Sequence, residues 1–291
     1  MADNFEEQYL LFLVPYDETG IHYVPPPGRP DLPASVPVHA DPFPKADEWS
    51  KAVRADIVRI AGTRVGNLLL RSLKYHGQTI TIRPSAADYC NSGAMDGFEL
   101  SHSANLTVGT GVDIVFNPDT YMVGSKCEAK SLAMGGYHIE SNEILLHEMV
   151  HALRKVSGKL NKTDLGKGLS FYGDNEEFNA VLVQGIYASE RKQPVRSSHY
   201  HHYEIDKELN SSMRFFKSGS ETFTWVEKFC LQNHGFTRAL AEIGVPFNPI
   251  NSYYYDREQV RNLGRSATAK RRDTLMPLSK SAIEFLKKEF N

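Results

Sequence analysis

One run of thirteen residues constrains this chain more than any other: Ser141-Asn142-Glu143-Ile144-Leu145-Leu146-His147-Glu148-Met149-Val150-His151-Ala152-Leu153. Neither proline nor glycine follows until Gly158, which stands where a helix of ordinary length stops. On a helix, residues four apart share a face, so the imidazoles of His147 and His151 project side by side, one turn apart. Neutral imidazole nitrogens are good zinc ligands, and this spacing lets both reach one ion at about 2.0–2.1 Å. Glu148 points beside that ion, where a carboxylate can take a proton from an activated water. The flanking Ile144, Leu145, Leu146, Met149, Val150, Ala152 and Leu153 predict a buried helix. Two imidazoles and a carboxylate inside an apolar face are costly unless something pairs them.

A catalytic zinc takes three protein ligands and leaves a fourth position for water. Residues 152–158 after the second histidine contain no further histidine, so the third ligand comes from elsewhere. The candidates lie in Phe171-Tyr172-Gly173-Asp174-Asn175-Glu176-Glu177-Phe178-Asn179-Ala180, a loop entering a helix predicted from Glu176 to about Lys192. Glu177 shares a face with Ala180, Val181, Gln184 and Ala188, small enough in part for another helix to approach, and is the favoured ligand. Glu176 shares a face with Asn179, Ala180 and Val183; it is the alternative third ligand, or a neighbour that orients Glu177. A reading without metal competes: Asp174 followed three residues later by Glu177 resembles a capping box. Tyr172 is the second candidate catalytic residue beside Glu148, as a phenol able to donate to an oxyanion.

Charge and proline divide the chain. Residues 1–50 carry nine acidic side chains against two basic ones and nine of the fifteen prolines. Such a segment is extended rather than helical, so an acidic, proline-rich arm is expected over residues 1–45 and one folded domain over 46–291. Apolar residues from Trp49 to Leu70 recur at three- and four-residue spacing, predicting helix from Ala46 to about residue 73, with Gly62 and Gly66 as candidate breaks. Residues 79–82 and 112–116 read as strands, each followed by a proline within two residues. Amphipathic stretches at 205–217, 221–243 and 279–290 read as helices, giving an α+β chain with a helical C-terminal part.

Other signals exclude function classes. The net charge of −2 argues against an overall basic nucleic-acid binder, and Lys270-Arg271-Arg272 reads as a solvated turn. No apolar run is long enough to span a membrane. The short apolar stretch at residues 9–14 follows acidic residues, unlike a secretory signal, so synthesis in a cytoplasm is expected. Cys90, Cys127 and Cys230 read as ordinary thiols. Ser198-His199-Tyr200-His201-His202-Tyr203 reads as a polar loop whose histidines could bind zinc or line a cleft beside it.

Two resemblances add to this. The HExxH helix with a downstream glutamate resembles the gluzincin branch of the zincin metallopeptidases. Tyr172-Gly173 and Glu177-Phe178-Asn179-Ala180 are similar to the loop and glutamate helix of the catalytic domain of anthrax lethal factor, although the tyrosine here sits closer to the glutamate and Asn179 replaces an aromatic residue. Gly66 to Leu70, the strand ending at Asn117-Pro118, the HExxH helix and Glu176 to Val183 resemble bacterial effector metallopeptidases injected into other cells. The resemblance implies a zincin-like fold with a small, mostly antiparallel sheet. It implies Zn²⁺ as cofactor, a protein or peptide substrate, and a secreted effector or toxin exported by a specialised system. A secretion-system component or an immunity protein would be its partner. The alternatives are a zinc amidohydrolase acting on cell-wall peptide and a non-catalytic binding protein on a degenerate zincin fold.

Overall fold

The computed structural model describes residues 11–13, 46–78, 80–84, 112–121, 136–160, 172–199 and 221–255, with a few shorter pieces between them. The Pro-rich segment 14–45, the histidines at 201 and 202, the predicted helix at 279–290, most of that at 205–217, Cys90, Cys127 and the basic triplet at 270–272 lie outside the described residues.

The long N-terminal helical pattern folds as two helices, α1 (Ala46–Ala61) and α2 (Arg64–Tyr75). The break comes at Gly62-Thr63, where the Thr63 side chain accepts from the Gly66 amide at 2.9 Å and donates to the Ile60 carbonyl at 2.8 Å. Gly66 does not end a helix. It lies inside α2, where a Cβ would stand 2.0 Å from the Ile60 carbonyl oxygen, so glycine is what lets α2 fold back on α1. Trp49, Val53, Ile57 and Ile60 of α1 and Val65, Leu69, Leu70 and Leu73 of α2 are buried along matching stripes.

Three short strands, β1 (Leu11–Leu13), β2 (Ile80–Arg83) and β3 (Val112–Val115), form a sheet in that order. Both pairings are parallel: Leu11 to Leu13 run beside Ile80 to Ile82, and Ile80 to Arg83 beside Val112 to Val115. The expected antiparallel sheet is therefore corrected. More than two dozen residues separate each strand from the next, so no tight hairpin turn joins any pair, and connections of that length admit parallel crossovers. Trp49 ties α1 to the sheet by donating its indole N–H to the Phe116 carbonyl at 3.0 Å.

Two further helices, α3 (Ser141–Val156) and α4 (Asn175–Glu190), form the centre of the molecule. In α3 every residue after Ser141 is buried. It ends in a left-handed Gly158 (φ 66°), whose amide bonds to the Lys155 carbonyl while that of Lys159 bonds to Arg154, a Schellman stop. The contacts run antiparallel: Arg154 meets Glu176, His147 meets Glu177 and Gln184, and Asn142 meets Tyr187. At its far end α4 holds α2, because the Glu190 carboxylate accepts from the amides of Arg64 and Val65, each at 3.0 Å. The stretch 221–243 folds as α5 (Glu221–Gln232) and α6 (His234–Ala241), divided at Asn233.

Candidate metal centre

The site is built where α4 begins against the middle of α3. Asp174 caps α4, accepting from the amides of Glu176 and Glu177 at 2.9 and 3.0 Å. The capping expected from the sequence is real, but it uses Asp174 alone and leaves both glutamate side chains for other work. About 100° apart around the helix, they go to different places.

Glu177 faces the histidines. Its Oε2 lies 3.0 Å from His147 Nε2 and 3.3 Å from His151 Nε2, and the two Nε2 atoms are 3.1 Å apart. Donors bound at about 2.0–2.1 Å in a tetrahedral centre stand about 3.3 Å from one another. These three atoms have that spacing, so the donor set fits a zinc ion. Glu176 turns away and forms a two-pronged pair with Arg154, at 2.7 and 2.9 Å, with both side chains fully buried.

A fourth group joins the cluster. His199 Nε2 is 3.3 Å from Glu177 Oε2, and its ring stacks on that of His147 with centroids 5.7 Å apart and planes at 12°. The donor atoms of His147, Glu177 and His199 also lie within 4.8 Å of one another. His199 is thus a fourth donor beside the trio that includes His151. His199 comes from the histidine tract that the sequence offered only as a compositional signal; nothing in its spacing to residues 147 and 177 marked it.

The surroundings tune these groups in opposite directions. Burial, with the nearby His151 and Arg196 charges, pushes the His147 imidazole down to about 4. His199 is lowered to about 3 by burial, with contributions from His147 and Arg196. Burial also opposes a charge on His151, but Glu177, supported by Glu148 and Glu176, outweighs it and raises that imidazole to about 10. The same partners hold the Glu177 carboxyl far below the usual carboxylate range, against the upward push of burial. Without metal, the Glu177 carboxylate favours a proton on the His151 imidazole that it meets. A cation with available coordination positions can take the place of that proton.

Glu148 is buried on α3, one residue from His147 and near enough to His151 to act on it electrostatically. Tyr172 is buried at the head of the loop into α4, its ring edge-on to Phe178 with centroids 5.0 Å apart. Its phenol is pushed up by burial and pulled the other way by Arg196.

The helix pair, the paired donors and the acid beside them are what a hydrolytic metal centre requires. A family profile, Peptidase_M91 (effector protein), matches residues 43–214, more than half of the chain and all of the site described above. The chain belongs to the Peptidase_M91 family of effector proteins. No curated protein and no solved structure matches it. Membership makes this a peptidase-type effector. The Peptidase_M91 match begins just before α1 and takes in the sheet strands β2 and β3, both helices of the site and the His199 loop. No helix among the described residues is long and apolar enough to cross a membrane.

Proposed function

We propose that this effector is a zinc-dependent metalloendopeptidase. The observation that carries the reading is the donor triangle of His147 Nε2, His151 Nε2 and Glu177 Oε2, with sides of 3.0, 3.1 and 3.3 Å, on two antiparallel helices. Its size suits one tetrahedral ion with a position left for water. When bound, zinc supplies Lewis acidity toward a carbonyl and makes a water acidic near pH 7. The rest falls to the chain. His147, His151 and Glu177 would hold the ion. Glu148 accepts the proton of the attacking water and returns it to the departing amine. Tyr172, three residues ahead of α4, is the phenolic donor to the oxyanion in this reading, and His199 is a neutral N–H donor at the edge of the same cluster.

Membership in an effector family favours a protein in a target cell as substrate over a cell-wall peptide, and export by a specialised secretion system as the route. Buried Glu148 beside an undamaged donor set argues against a degenerate binding protein. The test pairs metal analysis with a cleavage assay mapped by new N-termini in a target-cell extract. Wild type is expected to carry one zinc and to generate discrete new termini. Glu148→Gln is expected to keep the zinc and lose turnover by about 10²–10⁴-fold. Full activity in Glu148→Gln, or a wild-type protein that takes up no metal, overturns the reading.

A further inference from the structure

Behind the donor triangle lies a group that no step above uses. Arg196 is buried in the short segment after α4, 3% exposed, and has three described hydrogen bonds. Its Nη1 donates to Gln184 Oε1 at 3.0 Å, its Nε to the Ser198 carbonyl at 2.8 Å, and its Nη2 to the His199 carbonyl. Gln184 Oε1 in turn lies 3.1 Å from Nδ1 of His147.

Chemistry orders this chain of contacts in one direction. A guanidinium can only donate, so the Gln184 atom facing it is the oxygen and not the amide nitrogen. An amide oxygen can only accept, so His147 Nδ1, which meets the same Gln184 oxygen as Arg196, carries the proton. A neutral imidazole with its proton on Nδ1 presents a bare lone pair at Nε2, the atom 3.0 Å from Glu177 and 3.1 Å from His151. The remaining two arms of the guanidinium fold residues 196–199 around their own side chain, and this loop carries the ring stacked on His147.

We propose that Arg196 is a positioning residue of the metal centre. Through Gln184 it dictates which nitrogen of His147 faces the ion, and through the Ser198 and His199 carbonyls it ties that setting to the loop bearing His199. This rests on the metal-centre reading. A lysine cannot replace the fork, because a single ammonium cannot reach three acceptors in its plane. Hydrogen-bond partners behind a ligand typically govern 10- to 100-fold in metal affinity.

The experiment measures zinc affinity by chelator competition in the full chain, with imidazole ¹⁵N spectra of the metal-free protein to identify the protonated nitrogen of His147. Gln184→Met removes the acceptor at near-constant volume and is expected to weaken zinc about 10- to 100-fold, with loss of the Nδ1–H preference. Gln184→Glu still accepts from both partners and is expected to stay within a few-fold of wild type. Arg196→Lys is expected to match the loss in Gln184→Met and to shift the His199 resonances, which Gln184→Met leaves in place. Because Arg196→Lys alters a buried charge, the Gln184 pair decides the matter if that variant does not fold. Equal affinities for Gln184→Met and Gln184→Glu, or an Nε2–H tautomer in wild type, overturn the proposal while leaving zinc binding intact. A wild type without affinity for zinc removes the underlying reading as well.

Discussion

Glu176 and Glu177 are adjacent in the chain, share one capping residue and begin the same helix, yet they belong to two different machines. Glu176 turns into the protein and meets a guanidinium, in a pair with no access to water. Glu177 turns toward three imidazoles and keeps 15% of its side chain exposed. Arg154 also donates to the Lys159 carbonyl at 2.7 Å and stacks over Phe229 at 5.9 Å, so the Glu176 pair locks the end of α3, the following loop and α5 together. Imidazoles can give up a proton to make room for a cation; a guanidinium cannot. The first pairing is therefore permanent, and the second is exchangeable.

Four substitutions test that contrast, in falling order of expected effect. Glu177→Ala should abolish stoichiometric zinc and with it all cleavage, while the chain still folds; metal analysis beside far-UV circular dichroism checks both. Glu176→Ala should do the reverse, costing about 3–5 kcal/mol by leaving a buried guanidinium unpaired. Zinc content in the fraction that remains folded should be unchanged, as read by urea unfolding with metal analysis. If Glu176→Ala lost its zinc at full stability, the assignment of the two glutamates would be reversed.

Asp56 offers a third kind of buried carboxyl, met by Arg59 at 3.3 Å and by Ser141, with the like charge of Glu140 nearby. Burial raises it from 3.8 to about 6. The folded chain thus holds this proton more tightly than the unfolded one, so the acid contributes stability at low pH that is lost as pH rises from about 4 to 6. Asp56→Asn should recover up to about 3 kcal/mol above pH 6 and flatten that part of the stability profile, measured by unfolding at a series of pH values. The smallest effect is expected at the shared cap. Asp174→Ala should cost about 1 kcal/mol and weaken zinc only modestly, since Glu177 retains its imidazole partners.

Legibility followed distance along the chain. The HExxH pair, the Asp174 cap and the stop at Gly158 are set within a turn or two of helix, and they stand in the structure where local spacing put them. Glu177 was singled out before Glu176 because small residues on its face admit a neighbouring helix. The division of labour between them became visible only once Arg154 lay opposite Glu176. The antiparallel strand direction rests on the resemblance alone, and the strand pattern offers no check on it, because alternation reports which face is buried, not which way a neighbouring strand runs. Gly66 looked like a helix break because its actual task, admitting the Ile60 carbonyl, involves a different helix.

The sequence by itself determined a helix with two imidazoles on one face and an acid between them, since periodicity and composition act over neighbouring residues. Only the tertiary structure decided what those imidazoles meet. Glu177, His199, Gln184 and Arg196 arrive from 26 or more residues away, and their hydrogen bonds exist only where packed helices exclude water.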